Sequence, residues 1–237
     1  KKYFRLKKQI TSLEKEKLKL LGDKSIIFED QISRIYPNKN LYSHILGQID
    51  DSNNGISGIE KKFDLVLKSE KKSIQLSIDT DIQFLIREEL IRFNQIFRSI
   101  GSGAILMNVN NGEILSLVSL PDFNLNERIS IIDKNYINRI TKGVYELGSV
   151  FKTFTIAAAL NEKLVEPNTE FLNLEKEIRC GGRPIREYDK EIPENLTVEQ
   201  ILIRSGNIGS VRIGQMLGID KLKKFYTDVG ILNRIDF

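Results

Sequence analysis

The feature that most constrains this chain is a change of hydrophobic period between residues 73 and 118. Ser73-Ile74-Gln75-Leu76-Ser77-Ile78 alternates strictly, the pattern of a strand with one buried face. Residues 80–98 then carry Ile82, Leu85, Ile86, Leu90, Phe93 and Phe97 at helical spacing, which predicts a long amphipathic helix. Residues 104–107 and 114–118 are apolar and flank Asn111-Gly112, a dipeptide that favours a tight turn with positive φ. Four further helices are predicted at 151–163, 197–204, 208–217 and 220–229, with Thr197 and Gln200 as a capping box and Gly230 as the final stop. Strand, helix, hairpin and then helices predict an α+β fold, in which helices pack on a mostly antiparallel sheet.

The chain before this block reads differently. Thr11 and Glu14 form a capping box for a short helix over 11–21, and Gly22 ends it. Residues 25–46 suggest strands broken by a turn at Pro37-Asn38. Residues 50–58 suggest a polar loop, and 59–67 one or two helical turns. Residues 68–72 are charged and lack apolar side chains, so a boundary is expected there, between a domain over 1–70 and another over 71–237. Two stretches lack periodicity, 121–148 and 165–195. The first is long enough to suggest function.

Composition excludes several classes. The 36 basic and 32 acidic residues are mixed along the chain, with no basic stripe and interleaved aromatics, so nucleic acid is not an expected partner. The single histidine, His44, and the single cysteine, Cys180, leave too few ligands for the usual zinc sites, and no cofactor is expected. His44, beside Tyr42, Ile45 and Leu46, reads as structural. Cys180 can form no internal disulfide, and as a lone cysteine it reads as inert. No apolar run approaches the ~18 residues of a membrane span. The chain opens at Lys1 without Met and stops at Phe237, so a piece of a longer protein is expected.

The sharpest candidate for chemistry is Gly148-Ser149-Val150-Phe151-Lys152. Ser149 falls where a helix starts and Lys152 three residues on, which puts both side chains on one face. A serine hydroxyl needs a base to become a nucleophile, and a lysine with a lowered pKa can be that base. Ser-x-x-Lys alone is weak. Ser12 with Lys15 and Ser69 with Lys72 repeat it in a surface helix and in the charged boundary. Only the third has a preceding glycine, a helix start and the apolar run Ile156-Ala157-Ala158-Ala159-Leu160 behind it. A second element, Ser205-Gly206-Asn207, lies between two predicted helices. Alone it reads as a plain turn, since Ser52-Asn53-Asn54 matches it in a loop.

Together the two elements resemble the first two active-site motifs of the penicillin-binding proteins and serine β-lactamases. Further blocks extend the likeness over nearly the whole chain. Arg34-Ile35-Tyr36-Pro37, Ser43-His44-Ile45-Leu46-Gly47 and Gly55-Ile56-Ser57-Gly58-Ile59-Glu60 with Phe63-Asp64 resemble the N-terminal pedestal of class B members. Leu76-Ser77-Ile78-Asp79 leading into the Gln83 helix, Gly112-Glu113-Ile114-Leu115 and Ser119-Leu120-Pro121-Asp122-Phe123-Asn124 resemble the entry to the transpeptidase domain. Within class B, Gly143-Val144-Tyr145-Glu146-Leu147-Gly148-Ser149 is most similar to the cell-division branch.

The resemblance implies a strand-rich, partial pedestal over 1–70 and an incomplete transpeptidase domain over 71–237. It implies Ser149 as acylated nucleophile, Lys152 as its base and Ser205 as a relay to the leaving group. Asn207 and Gly148 become substrate-binding positions, Asn207 also orienting Lys152, and the Ser149 N–H one donor of an oxyanion hole. The implied reaction is D,D-transpeptidation in septal wall synthesis. Implied partners are the stem peptide and acceptor strand of peptidoglycan, β-lactams, a lipid-carrier-dependent glycosyltransferase and division proteins. The implied location is the bacterial inner membrane, through a single-pass anchor outside this chain, with the domain in the periplasm. Two departures stand out. No Lys-Thr-Gly or Lys-Ser-Gly, the family's third motif, occurs, so the 237 residues alone are expected to be inactive. Gly206 replaces a more usual serine and is expected to loosen the turn. An elongation-type relative, a β-lactamase or a non-catalytic division scaffold are the alternatives, and the pedestal blocks disfavour a β-lactamase.

Overall fold

A computed structural model describes residues 3–7, 10–30, 34–69, 73–127 and 129–234. The chain divides into two compact units, Lys1–Leu76 with Asp122–Ile131, and Ser77–Pro121 with Ile132–Phe237.

In the first unit, α1 (Ser12–Leu20) starts at Thr11, whose hydroxyl accepts from the Glu14 N–H while the Glu14 carboxylate accepts from the Thr11 N–H. This is the expected capping box. Among the described residues, the strands expected over 25–46 do not form. Residues 37–42 are turns, and Ser43–Leu46 is the short helix α2. Two more short helices follow, α3 (Gly58–Lys62) and α4 (Asp64–Lys68). Among the described residues of this unit, β pairing is limited to one isolated bridge, Ile49 with Gly55. The apolar residues of 25–46 are instead organised by side chains. The Tyr36 hydroxyl donates to Glu60 at 3.0 Å, and Arg34 pairs with the same carboxylate at 3.3 Å. Asn126 grips the Tyr36 backbone from both sides, its Oδ1 accepting from N–H and its Nδ2 donating to C=O. His44 is buried edge-on against Phe123 at 5.4 Å, as a structural residue should be.

In the second unit, Asp79 caps α5 (Thr80–Phe97) by accepting from the N–H groups of Asp81 and Ile82. The hairpin β1 (Ser102–Met107) and β2 (Ile114–Leu120) is antiparallel. Its loop is longer than the two-residue turn suggested by Asn111-Gly112. It closes with Asn108 donating to the Glu113 carbonyl, although Gly112 does take φ +77°. Residues 73–78, of which only Ser77 and Ile78 belong to this unit, alternate in exposure as expected but form no strand ladder, and the Asp79 N–H donates to the Leu115 carbonyl of β2. α5 is pinned to β2 by one polar side chain. Gln83 accepts from the Leu117 N–H and the Ser116 hydroxyl and donates to the Leu117 carbonyl.

The helices α6 (Val150–Asn161), α7 (Val198–Ile203), α8 (Asn207–Leu217) and α9 (Ile219–Asp228) follow their expected positions. Residues 165–195 are not irregular throughout. They contain β3 (Glu170–Phe171), paired with β6 (Leu196–Thr197), and the hairpin β4 (Glu177–Cys180) with β5 (Arg183–Arg186). Gly181 and Gly182, at φ +56° and +78°, make the two-residue turn of that hairpin. Ile156, Ala159, Val198, Ile201, Ile208 and Ile213 form the core between the helices, with Ile178 and Ile185 of the hairpin packed on it. Helices and antiparallel strand pairs make the chain α+β, as predicted.

Candidate active site

The helical core fixes three backbone positions on which the candidate side chains stand. The first is the entry to α6. Gly148 takes φ +54°, a conformation that costs a non-glycine residue roughly 1–2 kcal/mol. It turns the chain so that Ser149 becomes the N-cap residue, exposed, with its side chain making no capping bond to the helix. Lys152 lies one turn further and is half-buried, and its N–H donates to the Ser149 carbonyl at 3.1 Å.

The second position is the end of α7. Ser205 N–H donates to the Leu202 carbonyl and Gly206 N–H to the Ile201 carbonyl, the two bonds of a helix-terminating motif that needs a left-handed residue. Here that residue is Ser205, at φ +54°, and Gly206 sits at an ordinary φ of −60° as N-cap of α8. Gly206 therefore does not loosen the turn. A Cβ there would meet nothing nearer than 3.7 Å, so a larger residue fits. The strain lies one residue earlier, on the serine. In that conformation the Ser205 carbonyl and hydroxyl both face Lys152.

The third position is the start of α8, where Asn207 stands. The Lys152 ammonium donates to the Ser205 carbonyl at 2.5 Å, to the Ser205 hydroxyl at 3.0 Å and to Asn207 Oδ1 at 2.5 Å. Three donors meet three acceptors, so the protonated amine is fully satisfied. Burial lowers the Lys152 pKa from its usual value, and the negative charge of Glu187 opposes that shift in part. The Ser149 hydroxyl is not among the three acceptors. The structure thus joins Lys152, Ser205 and Asn207 directly and sets Ser149 and Gly148 at the head of the helix that carries Lys152.

Glu187 was missed in the sequence. It stands just past β5, half-buried, and its two oxygens accept from the N–H groups of Asn207 at 2.7 Å and Ile208 at 2.8 Å. The Arg186 carbonyl accepts from Asn207 Nδ2 at 2.7 Å. The signal that could have found this edge was Gly181-Gly182 between Ile178 and Ile185, a hairpin pattern.

The described residues of the two other Ser-x-x-Lys sequences have no such surroundings. Lys15 pairs with Asp30 on the exposed α1, and the Ser69 hydroxyl donates to Val66 C=O. Lys72 lies outside the described residues. Ser52 and Asn54 form a loop on Asp50, which accepts from both N–H groups. Among the described residues no helix is long and apolar enough to cross a membrane, and no group of three or more His, Cys, Asp or Glu is placed to hold a metal.

The penicillin binding protein transpeptidase domain family matches residues 102–237, which contain all five candidate positions. The chain is 30% identical over 226 residues to the "Probable peptidoglycan D,D-transpeptidase FtsI" of Caulobacter vibrioides, covering 94% of this chain and 38% of that protein. To the peptidoglycan D,D-transpeptidase FtsI of Escherichia coli it is 25% identical, covering 91% of this chain and 40% of the relative. The chain therefore spans about two fifths of the length of these relatives. Among solved structures, the TP domain of penicillin-binding protein 3 from Burkholderia pseudomallei is 30% identical with a TM-score of 0.56, covering 65% of this chain and 42% of that one. A peptidoglycan synthetase from Bifidobacterium adolescentis shares the fold at a TM-score of 0.74 and 22% identity, covering 95% of this chain and 46% of that one. With more than half of its length matched by the family, the chain belongs to the penicillin-binding protein transpeptidases, among the class B members close to FtsI.

Proposed function

We propose that this chain carries the acylation centre of a peptidoglycan D,D-transpeptidase that builds septal cross-links. The observation that carries the reading is the Lys152 amine, held on Ser205 and Asn207 one helical turn from Ser149. As free base, with its pKa lowered by burial, Lys152 takes the Ser149 proton. The Ser149 Oγ then attacks the carbonyl of the D-Ala-D-Ala bond, and the Ser149 N–H at the head of α6 donates to the developing oxyanion. The proton returns through Ser205 to the nitrogen of the departing D-Ala. An amine of a neighbouring strand later replaces the serine on the acyl group. Gly148 leaves room for the substrate at Ser149, and the Asn207 amide holds its backbone. No Lys-Thr/Ser-Gly tripeptide occurs in the chain, so the reading rests on these two motifs.

The same reading makes β-lactams suicide ligands of Ser149. It proposes residues 1–70 as pedestal and 71–237 as part of the catalytic domain. It also proposes a membrane-anchored, periplasmic setting in which a lipid-carrier-dependent glycosyltransferase and division proteins are partners. Intact mass of the full-length protein after incubation with benzylpenicillin is the test. A stable adduct on the wild type that is absent from Ser149→Ala is expected. A folded wild type that gains no mass would sink the reading.

A further inference from the structure

The helix that presents Asn207 lacks a local cap. Its N-cap residue is Gly206, which has no side chain to accept from the first N–H groups of α8. The acceptor comes instead from 20 residues earlier, where both oxygens of Glu187 take the N–H groups of Asn207 and Ile208. Next to it, the Arg186 carbonyl fixes the Asn207 amide group, whose Oδ1 faces the Lys152 ammonium. A single hairpin edge therefore sets both the backbone and the side chain of the residue that holds the amine.

We infer that Glu187 is a positioning residue for acylation, holding Asn207, and through it the Lys152 amine, in register with Ser149. The inference rests on the transpeptidase reading above. It goes beyond a helix cap because the same carboxylate places a negative charge near the amine. The Lys152 ammonium meets the carbonyl and hydroxyl of Ser205 at the end of α7 and the amide oxygen of Asn207 of α8; behind Asn207 stand Arg186, the last residue of β5, and Glu187, the residue after it. From α9, Tyr226 packs on Phe151 and Phe154 of the helix that carries Lys152. The Arg186 guanidinium is engaged by Glu177 across the hairpin. Glu187 is thus the charge that favours the ammonium, in opposition to burial. Removing it must lower the pH at which Lys152 becomes a base.

The test is the second-order rate of acylation of the full-length protein by a fluorescent penicillin, followed against pH. In Glu187→Gln the rise of rate with pH is expected to move to lower pH. Its plateau is expected to fall roughly 10- to 100-fold, because a neutral amide with one acceptor oxygen no longer holds both N–H groups. Glu187→Asp keeps the charge and shortens the reach, so its plateau should fall while the rise stays at the wild-type pH. It also carries the test if the glutamine variant does not fold, as judged by its thermal melt. A glutamine variant with the wild-type profile, or one that loses plateau without any movement of the rise, overturns the inference and leaves a helix cap. An aspartate variant with a full plateau overturns it too. A wild type that is not acylated at Ser149 removes the transpeptidase reading itself, an outcome distinct from each of these.

Discussion

Two layers of the second unit bury their apolar residues very differently. Around α6, α7 and α8 the helices close a core of their own, with Ile201, Ile208 and Ile213 fully buried. Along α5 and β1 the apolar residues find cover only on one side. Leu85 is 62% exposed and Phe97 69%, and β1 leaves Ile105, Leu106 and Met107 at 40% or more, whereas β2 is buried along most of its length. Both layers have strong hydrophobic periodicity. The contrast teaches that periodicity names the face that seeks cover, and only the rest of the fold says whether cover is found. It also places the candidate site on the layer that holds its own shape, where a distance of a few tenths of an ångström can be kept.

The comparison is broken most easily at Ile201. Its side chain fills the junction of α7 with α8, so close that a Cβ on Gly209 would stand 2.6 Å from it. Ile201→Ala should cost about 2–5 kcal/mol in urea unfolding, with loss of acylation where the Ser205 turn is no longer held. A cost below about 1 kcal/mol would mean that the helical layer is not the rigid one.

The second prediction concerns the point at which the looser layer is tied down. Gln83 is 1% exposed and serves the Leu117 N–H and C=O and the Ser116 hydroxyl at once. Gln83→Leu fits the space but leaves those groups unpaired, and should cost about 1–3 kcal/mol. A neutral result would show that water replaces the amide and that α5 is held by its apolar contacts after all.

The third effect is smaller and of opposite sign. Gly206 has φ −60° and room for a Cβ at ordinary contact distance, so Gly206→Ser, which also supplies an N-cap oxygen, should stabilise the protein by about 0.4–1 kcal/mol, chiefly by restricting the unfolded chain. Loss of stability would return the conformational demand to Gly206 and contradict the assignment of the left-handed position to Ser205.

How much of this was legible in the sequence follows from the range of the interactions. The capping boxes at Thr11 and Thr197 and the helices α5 to α9 depend on neighbours within a few residues, and the sequence shows them directly. Ser149, Lys152, Ser205 and Asn207 were legible as two short motifs. That Ser205 and Asn207 meet the Lys152 amine depends on a turn more than 50 residues away, which only the order of the motifs along the chain could suggest. Glu187 was not legible, because its value lies in reaching two N–H groups of a distant helix, and its own neighbours are an unremarkable polar run. Among the described residues, the strands expected over 25–46 are missing for a related reason. Extended apolar residues form strands only where a partner strand offers its backbone, and in this unit Tyr36 is met by the side chains of Asn126 and Glu60.

The smallest predicted effect tests the comparison from its weak side. Leu85 lies on the stripe that predicted the buried face of α5, yet most of its surface is open. Leu85→Ala in the 237-residue chain should therefore change stability by less than about 0.5 kcal/mol, since little apolar area is removed from water by folding at that position and alanine is the better helix former. The same substitution in the full-length protein sharpens the contrast. An unchanged small effect would mean that the stripe stays open and that α5 is held by Gln83 and its half-buried flank. A cost of about 2 kcal/mol or more would mean that the face is covered there, and that the two layers differ in the residues that supply their cover rather than in their need for it.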